Sequence, residues 1–103
     1  AVFVTGDFNV GETNPALATL TVPGGNGAPA FLDTFRVLHA DVKDAGTFSG
    51  FKFGTGGPDK IDYVLVQPGT EVMSAEIVSY SRNNRYPSDH FPVTARVRLV
   101  EAR

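Results

Sequence analysis

The first five residues, Ala1-Val2-Phe3-Val4-Thr5, form an apolar run with no polar alternation. Such a run suits a strand covered on both faces, so it predicts a central strand of a layered sandwich. Gly6 ends it, and Asp7, Phe8 and Asn9 occupy the turn beyond its carboxyl end, where open α/β sheets tend to present ligands. Asn14 followed by Pro15 predicts a helix start, with a capping side chain and a first-turn proline, and Ala16 to Leu20 can continue it. Pro23-Gly24-Gly25-Asn26-Gly27 then breaks the chain into a loop. Phe31 to Leu38 has mixed periodicity and fits a short helix or a strand. From Ala40 to Pro58 the chain is rich in glycine and carries Phe48, Phe51 and Phe53, which reads as a long lip whose rings stack a base, meet a lipid or, the favoured reading, pack inward. Ile61 to Gln67 predicts a second strand, apolar except at Asp62, and Glu71 to Tyr80 a third. In the fourth, Pro92 to Val100, Val93, Ala95, Val97 and Leu99 face one way while Thr94, Arg96 and Arg98 face the other, which gives it one wet face.

Because the first strand starts without a lead-in, the 103 residues are expected to be a piece of a longer protein, one domain at most. Hydrophobic residues at 42% and charged residues at 19% argue for a globular chain and against disorder. The formal charge of −2 supplies no general attraction to nucleic acid, so a polyanionic substrate would need local arginines, backbone amides and a cation. The absence of cysteine excludes a disulfide framework, a thiolate zinc site and a cysteine nucleophile. No apolar run approaches the roughly 20 residues of a transmembrane segment.

Three segments place costly polar groups at strand ends: Thr5-Gly6-Asp7-Phe8-Asn9, Lys60-Ile61-Asp62-Tyr63-Val64 and Ser88-Asp89-His90-Phe91-Pro92-Val93. A carboxylate among strand-forming apolar residues is expensive to desolvate unless it is paired or holds a metal. Asp62 is therefore expected to pair with His90, one of two histidines, because a carboxylate behind an imidazole fixes its tautomer and suits it to acid or base work. Asp89 would point away from His90 on an extended backbone, and a turn would bring both to one pocket. Asp7 and Asn9, spaced by two, can likewise share a pocket. There Asp7 would orient or deprotonate an attacking water and Asn9 would donate to a phosphate oxygen. A hard cation such as Mg²⁺, with Mn²⁺ as an alternative, needs only one or two carboxylates when a phosphate and waters complete its shell. Each group also has a structural reading. Gly-Asp-Phe-Asn alone fits an Asx turn, Ser88-Asp89 a polar turn, His39 a surface position, and Arg82 and Arg85 solvated loop charges beside Asn83 and Asn84.

Taken in order, the three segments resemble the endonuclease/exonuclease/phosphatase superfamily, the deoxyribonuclease I-like proteins, with Leu32 to Arg36 and Gly46-Thr47-Phe48 as further similar stretches. The resemblance implies an α/β (α+β) fold, half of a four-layer α/β sandwich, made mainly of one mixed β-sheet with short flanking helices. Residues 1–103 would be the C-terminal portion of that domain, its N-terminal half being absent. It further implies a Mg²⁺-dependent phosphodiesterase, nuclease or phosphatase in which water attacks a metal-bound phosphate in line. In that scheme Asp7, Asn9, Asp62 and His90 are catalytic and Asp89 is a metal carboxylate. Nucleic acid, a phosphoinositide or another phosphodiester would be the substrate, and the fragment alone would be nearly inactive. Its exposed sheet face would await the missing half or a second copy. The rival expectation is a non-catalytic binding or structural module that retains the sheet.

Overall fold

Local signals set the first elements. The Asn14 side chain accepts the Ala16 N–H at 2.9 Å, and Pro15 takes the first helical position, where its missing N–H would have no partner anyway. The computed structural model describes residues 1–24 and 30–99. Across them run β1 (Phe3–Asp7), α1 (Pro15–Thr21), β2 (Leu32–Asp33), α2 (Thr34–Leu38), β3 (Asp62–Val66), β4 (Glu71–Ile77) and β5 (Val93–Arg98). The segment of mixed periodicity thus becomes both things, a two-residue strand that Asp33 turns into a helix by accepting the Phe35 N–H. Gly25 to Gly27 of the glycine loop and Val100 of the last predicted strand lie outside the described residues.

The class is α+β, as expected, but the sheet is not mixed. Strands in the order β1-β3-β2 form one sheet and β4-β5 a second, and every described pairing is antiparallel. The β-branched and aromatic residues of β3 carry it through the middle, where Tyr63, Leu65 and Val66 are fully buried. β1, expected at the centre, is an edge strand, and Val2 and Phe3 remain 51% and 44% exposed. An apolar run records that its side chains favour burial; it does not supply the layer to bury them. Here the described residues cover one face, where α1 lays Leu17 against Tyr63 and Leu65, with Val4, Phe8, Val10, Leu20 and Phe31 around them.

Three polar devices pin the rest. Lys60, buried beside β3, bonds Asp33 at 2.8 Å with its ammonium 3.8 Å from the centre of the Tyr63 ring. Arg36 on α2 grips both carboxylate oxygens of Glu12 at 2.7 Å. His39 is not the free surface residue expected: half-buried, it ends α2 with Nε2 2.8 Å from the Ala75 carbonyl, tying the helix to β4. The glycine-rich stretch folds back so closely that a Cβ on Gly56 would stand 2.1 Å from the Gly46 carbonyl oxygen, which only hydrogen in place of a side chain permits. β5 keeps the alternation expected of it, half-buried at Val93, Ala95 and Val97 and exposed at Thr94, Arg96 and Arg98.

Candidate active site

Register assembles the site. β1 and β3 pair with Asp7 directly opposite Asp62, and opposed residues in an antiparallel pair share a face. Val4 and Leu65, three positions along the same ladder, point to the core, so both carboxylates emerge on the side away from α1. His90 arrives over this face from the turn before β5. Its backbone N–H donates to the Ser88 hydroxyl at 3.1 Å, and the Asp89 carbonyl takes the N–H groups of Ser49 and Gly50 at 2.8 and 3.1 Å. The turn is therefore held from two sides before the imidazole is considered.

The imidazole donates from Nδ1 to Asp62 Oδ2 at 2.9 Å, while Nε2 faces Asp7 Oδ2 at 3.7 Å and Asp89 Oδ1 at 4.0 Å. Phe48 stands edge-on to the ring at 5.0 Å. The hydrogen bond His90 donates to Asp62 raises the His90 pKa, with partial desolvation opposing and the charges of Asp62, Asp7 and Asp89 adding to it. With Nδ1 committed to a carboxylate, Nε2 is the position at which a proton is taken up or released. An open pocket of about 360 Å³ lies in front, lined by Thr5, Asp7, Asp62, Val64, Ser88 and His90 among others, and among the described residues no Lys or Arg lines it.

Asp7, Asp62 and His90 each offer a ligand atom within 4.8 Å of the others. Asp62 Oδ2 already serves the imidazole, so the oxygen donors this group offers a cation are those of Asp7 and the second oxygen of Asp62; Asp89, expected as a metal carboxylate, is not a member of it. Such oxygen donors fit a hard ion such as Mg²⁺ or Mn²⁺.

Not every residue expected at the site joins it. Asn9 adopts a φ of 54° and its backbone N–H bonds Asp7 Oδ1 at 2.9 Å, the Asx-turn geometry, while its side chain does not line the pocket. Arg82 and Arg85 are the solvated loop charges expected: both are exposed, and they exchange backbone hydrogen bonds across a tight turn in which Asn83 and Asn84 both have positive φ. The inward-packing lip is also corrected, because Phe51 and Phe53 are 62% and 52% exposed, Phe53 lying against Tyr86 at the rim of a separate hollow. Sequence reasoning gave Thr47, which bonds the start of β3, only a place in the stretch Gly46-Thr47-Phe48, and gave Phe48 a place in the lip and not against the imidazole. Both sit in a glycine-rich stretch with no periodic signal.

The sequence matches no family model and no curated protein. In structure the chain is similar to a mannosyl-6-phosphatase of Bacteroides thetaiotaomicron, with a TM-score of 0.71 and 25% identity over 94% of this chain. The chain spans 37% of the length of that protein. The resemblance to the endonuclease/exonuclease/phosphatase superfamily is corrected by these findings: no model of that family matches, and the similar structure is named for a sugar phosphatase, not for a deoxyribonuclease-type protein. Short motifs met that pattern in order, but order alone does not establish kinship. Among the described residues no helix is long and apolar enough to cross a membrane.

Proposed function

We propose that this chain carries the histidine–carboxylate part of a phosphoester hydrolase. The reading rests on one observation, the Asp62–His90 hydrogen bond of 2.9 Å with Asp7 beside the free Nε2 at the mouth of an open pocket. It is supported by the similarity to a protein named as a mannosyl-6-phosphatase, which makes sugar phosphates the first substrates to assay. Because the chain spans 37% of that protein, residues 1–103 are proposed to be part of a larger hydrolase domain, and the pocket wall facing His90 to come from outside them.

Within this reading each side chain has a task. Asp62 holds the imidazole in the Nδ1–H tautomer and favours its protonated form. His90 then places a proton at Nε2, where it can be given to an oxygen that gains charge as the P–O bond breaks, or taken from water. Asp7, close to Nε2 and open to the pocket, orients the water. Asp7 and Asp62 would hold Mg²⁺ or Mn²⁺, with Asp89 as a further carboxylate nearby, and the ion when bound would offset the phosphate charge that three carboxylates otherwise repel.

The test is hydrolysis of p-nitrophenyl phosphate and mannose 6-phosphate by the longer protein that contains this chain, with and without chelator. His90→Ala should lower kcat by about 10² to 10⁴. Retention of more than about a tenth of the activity would remove His90 from the acid/base role.

A further inference from the structure

Thr47 is fully buried, yet it is neither apolar nor part of a regular element. Its side-chain oxygen accepts two backbone N–H groups, those of Ile61 at 2.9 Å and Asp62 at 3.2 Å. These amides stand where β3 begins, and this single hydroxyl is the acceptor for both. The main chain of Thr47 is equally occupied: its N–H donates to the Asp59 carbonyl at 3.1 Å, and its carbonyl accepts the Phe91 N–H at 2.7 Å. One residue thus touches the backbone of Asp62 on one side and the backbone just after His90 on the other. The residues that follow continue the arrangement, Phe48 bridging to His90 with its ring against the imidazole, and Ser49 and Gly50 holding the Asp89 carbonyl.

We propose that Thr47 is a positioning residue, its hydroxyl and carbonyl together setting the separation of Asp62 and His90. The inference rests on the hydrolase reading for its functional meaning and on backbone geometry for its substance. Asp62 and His90 lie on segments 28 residues apart in sequence, and a hydrogen bond of 2.9 Å between their side chains requires that the two backbones be fixed to a few tenths of an ångström. Through Thr47 the route between them is short: the Asp62 amide, the Thr47 hydroxyl, the Thr47 carbonyl and the Phe91 amide. Removing the hydroxyl leaves two half-buried N–H groups without an acceptor, and the start of β3 must shift to find solvent or another partner. The shift moves Asp62 and leaves His90, still tied through the Thr47 carbonyl, where it was.

Two substitutions separate this role from simple packing. Thr47→Val keeps the shape and removes the acceptor, whereas Thr47→Ser keeps the acceptor and removes a methyl group. In long-range ¹H–¹⁵N NMR spectra of the chain, with the imidazole neutral, the parent and Thr47→Ser should show His90 as the Nδ1–H tautomer with a slowly exchanging ring proton. Thr47→Val should show mixed tautomers and ring-proton exchange faster by about tenfold or more, as loss of a buried acceptor implies. A Thr47→Val chain that is folded by circular dichroism and keeps the parent's tautomer and exchange rate would overturn the proposal. Should Thr47→Val not fold, amide exchange in the parent decides. Protection of the Ile61 and Asp62 amides to the level of Val64 supports the assignment, and exchange of either at the rate of exposed loop amides overturns it. None of these readouts involves hydrolysis, so the proposal and the hydrolase reading stand or fall separately.

Discussion

Lys60 places a charge beside the site strand with almost no water around it, and its removal should be felt throughout the fold. Its side chain is 1% exposed and that of Asp33, its partner at 2.8 Å, is 10% exposed. Burial lowers the Lys60 pKa, and the neighbouring Asp33 carboxylate works against that fall. Lys60→Met retains a long unbranched chain that can lie on the Tyr63 ring but leaves Asp33 charged, with the Phe35 N–H at 3.1 Å as its remaining partner. Breaking a buried pair from one side costs about 3–5 kcal/mol. A chain of this size has only about 5–15 kcal/mol in total. At about 4–8 °C per kcal/mol for a domain near 100 residues, the melting temperature should fall by at least about 12 °C.

The second substitution makes the reasoning testable. Asp33→Asn removes the charge and keeps the cap of α2, since Asn caps as well as Asp. In the Lys60→Met background it should therefore restore most of the loss, with a coupling of about 2 kcal/mol or more in a thermal and urea double-mutant cycle. If Lys60→Met alone cost less than about 1 kcal/mol, the carboxylate would not be buried as described and the argument would fail. The outcome bears on the site, because the Lys60 ammonium also lies 3.3 Å from the Asp62 carbonyl.

Three further outcomes are expected. His90 has a raised pKa in the folded chain, so its pairing stabilises fully below the unfolded value of about 6.5 and is lost as pH rises through the folded value. Urea midpoints should fall as pH rises from about 6 to 8, and Asp62→Asn should flatten that slope; a parent midpoint constant across the window refutes the pairing. Glu12 behaves in the opposite sense, because the hydrogen bond from Arg36 lowers its pKa and its contribution is lost as pH falls below about 4.5. Glu12→Gln should cost about 1 kcal/mol at neutral pH and weaken the acid dependence, as measured by thermal melts between pH 3 and pH 7. Gly56→Ala would put a methyl carbon 2.1 Å from the Gly46 oxygen and should destabilise by about 1–3 kcal/mol or more, an unchanged melting temperature being the contrary result.

What the sequence made legible was local. The Asn14-Pro15 cap, the alternation of β5 and the odd polarity of Asp62 within a strand each depend on residues within a few positions of one another. The carboxylates could be singled out because desolvating a charge is costly wherever it occurs, and a cost of that kind must be met by a partner. β1 could not be placed, because an apolar run looks the same at the centre of a sheet and at its edge until its neighbours are known. Asn9 carried two readings, a pocket shared with Asp7 and an Asx turn, and the backbone adopts the turn. Spacing by two aligns side chains only on extended backbone, and its positive φ breaks the alternation.

Thr47 shows why the remainder was hidden. Its hydroxyl acts on amides 14 and 15 residues away, and backbone amides are the same at every position, so no pattern of side chains announces the contact. The groups whose charge demands compensation are visible in a sequence, whereas the groups that orient them through the backbone are not. Asp7 and Asp62 meet because of a register 55 residues apart, and His90 meets Asp62 because a threonine fastens both segments. The chemistry of this face therefore depends on residues that have none of their own. Substitutions at Thr47 or Gly56 should disturb the imidazole more than substitutions at Asn9, Arg82 or Arg85, whose polar side chains look more catalytic.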